Sequence, residues 1–421
     1  MRRAGTGLLF IGVLMSGCAG HPANPLSFPP NTVVVYAQPG QTVKEAVDSL
    51  PPAGGVVVLG IGSWTSGYLS GAFISKPHIT IRGLGMPGYN SDFTAMAGGT
   101  IVLGPLAAST GADYFTVQDL GVDAGQAYIN ANNGASPTDA LLIYNNGQVI
   151  GAPPVQSPLI ENVSCLGYSS MAPVHCMLVE NVNNAYIHNV VAVLNCHGLA
   201  LKGTNSRVDG VFSRGHGITS VIVKSEAYAP SSHDTLSNIT IVPLFSTGDT
   251  RGVSVIGVGA AISDITVSNA TIWYPLSWGV HVQGSSATSS ATGLTFSDIS
   301  VDYPGGSPAA DYCMVFVQYA SGVNINDLRC ASMWAGIASI LPVSGAFDDY
   351  TVKNSKFGNI PTNAIETYGG WSISGSSFLS LRGNGIANPF GVTTVCGNTF
   401  TGIGGSDMLS MGGTFEGCGD P

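Results

Sequence analysis

A short motif recurs about twelve times along most of this chain. In each copy an apolar residue is followed, after one residue of any kind, by Asn, Asp or Gly, and another apolar residue usually follows within three positions. The nine clearest copies are centred on Gly83, Asp119, Asn162, Asn189, Gly210, Asn238, Asp264, Asp298 and Asp327, and looser copies on Asn354, Gly375 and Gly397. The copies lie roughly 21 to 43 residues apart, which predicts a solenoid whose coils bury their apolar faces only by stacking.

A second repeat lies between these copies. Six-residue strands begin at His175, His197, Thr219, Arg251 and Trp278. Period-two alternation predicts an aliphatic coil interior made by Met177, Leu199, Val221, Val253, Val280, Val179, Leu201, Val223, Val255 and Val282. The sixth residues are predicted to point outward as one row, which contains Glu180, Lys202, Lys224, Ile256 and Gln283.

The composition favours an all-β protein with a single helix. Only 9% of the residues are charged and 57 are glycine, so the residues that helical proteins need are scarce. The exception is the stretch QTVKEAVDSL, in which Thr42 and Glu45 match a capping box and the apolar residues follow helical spacing. We therefore predict one helix ahead of the first strands.

The two-strand coil, the helix before it and the segments TVKEAVDSLPPAGGVVVLGIGSW and ISKPHITIRGLG resemble the pectin-lyase-like superfamily over about residues 38–402. The resemblance implies a right-handed parallel β-helix whose open N-terminal end is capped by the helix. It does not imply one activity, because the superfamily includes lyases, hydrolases, epimerases, esterases and non-catalytic adhesins.

The N-terminus is similar to a bacterial lipoprotein signal. Arg2 and Arg3 precede an apolar stretch at residues 8–15, and Ser16-Gly17-Cys18 forms a small-residue cleavage site. We expect a signal peptide at residues 1–17, lipidation at Cys18, a tether at 18–37 and a C-terminal cap or tail at 403–421. The expected location is the cell envelope, periplasmic or at the outer membrane or cell surface, with the lipid as the membrane anchor. The alternative is an ordinary secretory signal in which Cys18 is incidental.

Charge and cysteine content narrow the expected partners. Without residues 1–17 the chain has 12 basic and 24 acidic residues, a net charge of −12, which argues against nucleic acid. Too few acidic residues align for a calcium site, so we expect no metal or cofactor, and nothing requires an oligomer.

After Cys18, seven cysteines remain, of which at least one must stay free. Cys313 with Cys330 and Cys396 with Cys418 are plausible disulfides, although spacing alone does not fix the connectivity.

The stretch 196–234 concentrates the histidines and charges of this weakly charged chain. In stacked coils Lys202 and Lys224 become neighbours, and they repel unless an acid such as Glu180 or Glu226 intervenes or one lysine is neutral. A lysine with a lowered pKa can act as a general base. The alternative is that both are solvated surface residues relieved by Glu180.

Nearby residues suit an acidic sugar. The arginines Arg207, Arg214 and Arg251 are candidates for binding a substrate carboxylate, and His197 and His216 for orienting the sugar or protonating the leaving oxygen. The aromatic surface of Trp278 and His281 would extend the site. We therefore favour β-elimination on an acidic polysaccharide, with Lys202 or Lys224 as base. Each arginine has an alternative role in a surface ion pair.

Two other functions stay open. The motif Gly215-His216-Gly217 resembles one found in polygalacturonase-type glycoside hydrolases, but the acidic pair and the Arg-x-Lys motif that accompany it there are absent. A hydrolase would need two carboxylates near His216. The low charge suits equally a non-catalytic adhesin or scaffold that binds glycan or protein along a long face.

Overall fold

The computed structural model describes residues 28–68, 72–125, 139–144, 148–167, 175–194, 197–242, 251–273, 275, 277–303, 312–340 and 349–418. Cys18, the predicted signal peptide and Cys196 lie outside these residues. The helix α1 is Val43–Asp48. The strands are β1 (Val34–Tyr36), β2 (Gly55–Val58), β3 (Gly62–Thr65), β4 (Ile79–Arg82), β5 (Gly88–Tyr89), β6 (Met96–Ala97), β7 (Thr100–Leu103), β8 (Leu106–Ser109), β9 (Thr116–Asp123), β10 (Leu141–Tyr144), β11 (Val155–Gln156), β12 (Leu159–Leu166), β13 (His175–Asn183), β14 (Tyr186–Val193), β15 (His197–Thr204), β16 (Arg207–Arg214), β17 (Thr219–Ser225), β18 (Ser231–Ser232), β19 (Thr235–Val242), β20 (Arg251–Gly257), β21 (Ile262–Ser263), β22 (Thr266–Trp273), β23 (Trp278–Gly284), β24 (Ala291–Asp302), β25 (Tyr312–Gln318), β26 (Ala320–Asn326), β27 (Arg329–Ala331), β28 (Ala335–Ile340), β29 (Tyr350–Lys353), β30 (Lys356–Gly358), β31 (Ile365–Tyr368), β32 (Trp371–Ser374), β33 (Ser377–Leu379), β34 (Ile386–Phe390), β35 (Val392–Cys396), β36 (Thr399–Thr401), β37 (Met408–Ser410) and β38 (Thr414–Gly417).

Nearly all strands belong to one continuous stack, in which each strand pairs in parallel with its equivalent one coil later. We divide the stack into three sheets. Sheet 1 runs from β1 through β2, β4, β9, β12, β14, β16, β19, β22, β24, β26, β29, β32 and β35 to β38. Sheet 2 begins with β3 and β7 and ends with β27, β30, β33 and β36. Between them it consists of the C-terminal halves of β9, β12, β14, β16, β19, β22 and β24. Sheet 3 runs through β8, β10, β13, β15, β17, β20, β23, β25, β28, β31, β34 and β37. The prediction of a right-handed parallel β-helix is confirmed.

The repeated motif marks the turn between sheets 1 and 2. Its central residue has a positive φ in copy after copy, for example 54° at Asn162 and 49° at Asn189, a conformation that favours Asn, Asp and Gly. The side chains also bond from coil to coil: Asn189 Nδ2 donates to Asn162 Oδ1 at 2.7 Å. The copy assigned to Asp264 is an exception, because it lies in a different turn after β21. In that coil Asn269, with φ of 48°, occupies the turn of the motif.

The predicted coil interior is confirmed. All ten aliphatic residues assigned to it are fully buried. The outward row is confirmed too, because Glu180 pairs in register with Lys202, and Lys224, Ile256 and Gln283 follow one another in the next strands. Facing outward does not mean facing water here, since Glu180 is only 1% exposed.

The helix and both disulfides agree with the sequence. Glu45 N donates to Thr42 Oγ1 at 3.2 Å and Thr42 N donates to the Glu45 carboxylate at 2.8 Å, which completes the capping box. The disulfides Cys313–Cys330 and Cys396–Cys418 are both present. Within the described residues no helix has the length and apolar character needed to span a membrane.

The ends of the β-helix lie further out than the sequence indicates. Parallel pairing starts at Val34 in β1 and continues to Gly417 in β38, rather than from 38 to 402. The residues at 403–417 are therefore coils and not a separate tail. The motif was not recognisable there, because residues 403–417 contain few aliphatic residues.

Asp234 lies in the turn before β19 and is fully buried. Its Oδ1 accepts a hydrogen bond from Ser206 N at 2.7 Å, whereas Oδ2 has no partner among the described residues. Burial raises the pKa of this carboxyl to about 7, although the Ser206 bonds oppose the shift. The folded protein thus keeps a proton that the unfolded chain, with an ordinary aspartate pKa of 3.8, loses between about pH 4 and pH 7.

Stability should therefore fall as the pH rises from about 4 to 7 and level off above that. We expect Asp234→Asn to be more stable than the parent at pH 8 by a few kcal/mol, since each pKa unit corresponds to about 1.4 kcal/mol. The difference should shrink towards pH 4. Urea unfolding at several pH values measures it, with the exposed Asp407→Asn as control. A difference independent of pH would contradict the assignment.

Candidate functional site

The outer face of sheet 3 carries three parallel rows of side chains. The first row contains His175, His197, Thr219, Arg251 and Trp278, the second contains Leu178, Ala200, Ile222, Ser254 and His281, and the third contains Glu180, Lys202, Lys224, Ile256 and Gln283. Neighbours within a row are about 4.8 Å apart at the backbone, the spacing of paired strands. The first two rows and the third row form two distinct groups.

The third row holds a network of charges that we call the lysine cluster: Glu180, Lys202, Lys224, Glu226 and Tyr228. Lys202 Nζ donates to Glu180 Oε2 at 2.6 Å, to Glu226 Oε2 at 3.0 Å and to the Tyr228 hydroxyl at 3.2 Å. Lys224 forms an ion pair with Glu226, to which Tyr228 donates its hydroxyl proton. A tight turn after β17 positions Glu226 for both lysines. Two lysines are therefore balanced by two glutamates.

This pairing determines the protonation of the lysine cluster. Burial alone would lower the pKa of Lys202, but the hydrogen bonds and charges of Glu180 and Glu226 outweigh it and raise that pKa above its usual value. Burial likewise opposes ionisation of Glu226, yet bonds from Lys224, Tyr228 and Lys202 lower its pKa to about 2. Burial, reinforced by Glu226, raises the pKa of Tyr228 to about 12.

The prediction of a neutral, basic lysine is therefore wrong for Lys202. It keeps its proton at physiological pH, and its ammonium is occupied by two carboxylates. The alternative was that Glu180 relieves the repulsion between two solvated lysines. Glu180 does form an ion pair with Lys202, but Lys202 is buried rather than solvated. Lys224 is more accessible, with 28% of its side chain exposed.

The first and second rows form what we call the arginine patch: Arg251, Trp278, His281, His197 and the hydroxyls between them. The Arg251 guanidinium lies 4.6 Å from the Trp278 ring centroid, and its Nη1 is 3.3 Å from His281 Nδ1. The Trp278 and His281 ring centroids are 4.6 Å apart. His197 stacks on His175 at 4.9 Å. Among the described residues, Arg251 has no carboxylate within ion-pair distance.

Unsatisfied polar atoms surround this arginine. Four buried side-chain atoms lack a hydrogen-bond partner within the described part of the chain, namely His197 Nδ1, Thr219 Oγ1, Ser254 Oγ and Trp278 Nε1. Buried polar atoms are normally bonded, and leaving one unpaired costs about 1–3 kcal/mol. These four atoms lie close together on sheet 3, and each has almost no accessible surface.

Both patch histidines are neutral at physiological pH. Burial lowers the pKa of His197 to about 3, and the charges of His175, His216, Lys224 and Arg251 add to the effect. Burial and Arg251 likewise lower the pKa of His281 to about 3. A neutral imidazole can donate from one nitrogen and accept at the other, which suits sugar hydroxyls.

The remaining predicted residues lie elsewhere. Arg207 begins a sheet 1 strand, is 63% exposed and lies 3.6 Å from Asp209, so it does not join Arg251. Arg214 lies over the Phe93 ring at the end of β16, 4.1 Å from its centroid. His216 is fully buried, with Nε2 3.1 Å from Ala192 O, so it packs inside the structure. Only Arg251 of the three arginines joins His197.

Sequence reasoning missed Thr219, Ser254 and Tyr228. The first two occupy outward positions in the same register as the predicted site, so polar residues in otherwise aliphatic strands were a usable signal. Tyr228 lies in a turn, for which the strand periodicity gave no indication.

A hydrolase would need two carboxylates near His216. Glu180 and Glu226 do converge, but on Lys202 rather than near His216, and the ammonium occupies the space between them. A glycosidic bond would have to replace that lysine. Within the described ranges no group of three or more His, Cys, Asp or Glu residues is arranged to hold a metal ion.

Comparison with known proteins supports the fold. No family model matches the chain, and no curated protein matches it in sequence. Among solved structures, the catalytic domain of a GH87 α-1,3-glucanase in complex with nigerose is 15% identical with a TM-score of 0.54, covering 93% of this chain and 69% of that one. The A-module of the Azotobacter vinelandii mannuronan C-5 epimerase AlgE4 is 15% identical with a TM-score of 0.51, covering 86% and 91%. The Streptococcus pneumoniae surface adhesin PfbA gives a TM-score of 0.49 at 13% identity, covering 87% and 88%. At such identities the likeness to the first two establishes a parallel β-helix and nothing further.

The lysine cluster makes a stability prediction. Lys202→Met should lower the free energy of unfolding by about 3–5 kcal/mol at pH 7, because Glu180 would remain as a buried charge without a partner. The matched change Lys224→Met should cost less than about 1 kcal/mol, since this lysine is more exposed. Urea unfolding compares them. Adding Glu180→Gln to Lys202→Met should restore part of the loss, and equal losses for the two lysines would refute the arrangement.

Proposed function

We propose that the outer face of sheet 3 binds an anionic polysaccharide and that Arg251 contacts its acidic group. The observation that carries this proposal is the environment of Arg251, which is half-buried, lies against Trp278 and has no acidic partner in the described part of the chain. A planar guanidinium binds a carboxylate or a sulfate through two parallel hydrogen bonds. Held in place by an aromatic ring, it loses little further freedom on binding.

The neighbouring groups favour a sugar chain over a small anion. An isolated anion would satisfy Arg251 but leave the nearby Thr219, Ser254 and His197 atoms unpaired. Sugar hydroxyls would supply the missing hydrogen bonds if they reach these buried atoms, and the partly exposed Trp278 ring offers apolar surface to the CH groups of a sugar ring. The rows also continue from coil to coil, as a linear ligand requires. The two solved structures described above with TM-scores of 0.54 and 0.51 are a glucanase and a mannuronan epimerase, which supports a glycan ligand.

Arg251→Gln tests the anion contact, because it removes the charge while keeping a polar side chain of similar length. We expect affinity for a polyuronate to fall about 10- to 100-fold, the loss of a charged hydrogen-bonded pair. Affinity electrophoresis or calorimetry on a panel of acidic and neutral polysaccharides measures it.

Arg207→Gln is the matched control, since Arg207 also lies over an aromatic ring, that of Tyr186, but is exposed and paired with Asp209. Its affinity should equal that of the parent. The proposal fails if Arg251→Gln binds like the parent, or if the parent does not prefer acidic chains.

As the finer proposal, we infer that the bound uronate undergoes β-elimination with Lys224 as base. The base would remove the C5 proton, the C4–O bond would break, and the leaving oxygen would take up a proton. Arg251 would stabilise the enolate-like intermediate through the carboxylate. Of the two predicted bases, Lys224 is the more accessible. Its ion pair with Glu226 works against the role, because Lys224 must lose its proton first.

Elimination produces an unsaturated sugar that absorbs ultraviolet light. If Lys224 is the base, Lys224→Ala should reduce the rate of absorbance increase by about 10²- to 10⁴-fold and keep the affinity for the polysaccharide. The exposed Lys353→Ala in sheet 1 serves as control and should behave like the parent. Binding by the parent without any absorbance change would instead identify a non-catalytic glycan-binding face, the alternative considered from the sequence.

A further inference from the structure

Two cysteines that form no disulfide meet inside the solenoid. Cys165 lies on β12 and Cys176 on the following sheet 3 strand, β13, and both are fully buried in the main core. Neither takes part in the candidate site. Buried thiols usually serve only as small apolar side chains, so their arrangement decides whether they do more.

The two side chains point at each other. Cys165 Sγ is 3.1 Å from Cys176 O, and Cys176 Sγ is 3.3 Å from Cys165 O. Each sulfur therefore lies against the backbone of the other residue, and Cys176 Sγ is also 3.2 Å from Val193 O. A disulfide needs its two Cα atoms within about 7 Å and its side chains facing, and this reciprocal contact meets the second condition directly.

The two positions belong to the same two series of paired residues as an observed disulfide, although that disulfide joins a different pair of strands. In sheets 1 and 2, the register leads from Cys165 through Ala192, Ser213, Ile241, Ile272 and Val301 to Cys330. In sheet 3, it leads from Cys176 through Gly198, Ser220, Gly252 and Gly279 to Cys313. Cys313–Cys330 is a disulfide, so this corner of the coil accommodates one. In that disulfide, Cys313 on β25 is joined to β27, which follows it in the chain. Cys176 on β13 instead faces Cys165 on β12, which precedes it.

We propose that Cys165 and Cys176 form a third disulfide in the oxidised protein. Together with the two observed disulfides it would use six of the seven cysteines that follow Cys18 and leave Cys196 as the single free thiol. The bond would join β12 to β13, the strand that carries Glu180 of the lysine cluster.

The bond must form before the core closes. Burial raises the pKa of the Cys165 thiol well above its usual value, and a fully buried thiol is not accessible to an oxidant. During folding, one thiolate attacks the disulfide of an oxidised dithiol or of glutathione disulfide and forms a mixed disulfide. The second thiolate then displaces the carrier. The two cysteines lose two protons and two electrons, and the carrier leaves as two thiols.

Cleavage after methionine separates the possible pairings. Met171 and Met177 flank Cys176, so cyanogen bromide places Cys165 in residues 97–171, Cys176 in 172–177 and Cys196 in 178–314. The full chain is refolded in a glutathione redox buffer, alkylated in denaturant without reduction, cleaved and analysed by mass spectrometry. We expect residues 97–171 linked to 172–177, and an alkylated Cys196.

The digest contains its own control. The Cys313–Cys330 bond must link residues 178–314 to 315–333, which shows that the buffer was sufficiently oxidising. If that link is present, alkylated Cys165 and Cys176, or a link from 172–177 to 178–314, would overturn the proposal. The variant Cys165→Ser should expose Cys176 to alkylation after denaturation, whereas Cys196→Ser should leave the predicted link intact.

Discussion

Every feature of this protein depends on the parallel pairing of each strand with its equivalent in the next coil. One coil cannot exclude water from its aliphatic residues, but coils in register place Leu199 on Met177 and Val221 on Leu199 along the axis. The same register repeats each outward residue at the strand spacing. Residues at equivalent positions of successive repeats therefore lie side by side in rows. A binding face or a charge network forms wherever neighbouring coils place complementary residues in such a row.

The stacking also explains why charge is so scarce and so organised. An outward residue in the middle of a row is covered by neighbours, so Glu180 and Lys202 are buried although they do not face the coil interior. A buried charge is tolerable only with a partner of opposite sign. The lysine cluster satisfies this condition internally, with two lysines and two glutamates. Among the described residues, Arg251 lies against an aromatic ring and a neutral imidazole and has no carboxylate at ion-pair distance. We therefore assign Lys202 and the two glutamates to structure and Arg251 to binding, and Lys224 keeps its proposed role as base.

What could be predicted from the sequence is whatever follows from periodicity. The inward residues, the outward row and the capped helix depend on alternation and spacing, and each was recognisable. The two disulfides were plausible pairs, but spacing alone did not fix them. The motif turn was recognised but one copy, at Asp264, was misplaced, because a second turn of the coil favours the same small polar residues in the left-handed conformation. Periodicity becomes weak in the last coils, and the predicted end at 402 was too early for that reason.

The candidate site was only half predictable, because side chains from outside the strands decide its chemistry. Periodicity places Lys202 beside Lys224 and suggests repulsion, but the outcome depends on Glu226 and Tyr228, which a tight turn positions near both lysines. For Lys202, pairing with two carboxylates outweighs burial and raises its pKa above the usual value. The same reasoning separates Arg251 from Arg207: both lie over an aromatic ring, but within the described residues only Arg207 has a carboxylate at ion-pair distance. In a solenoid, the charged residues to examine for binding are those that neighbouring coils bury but that have no partner of opposite charge.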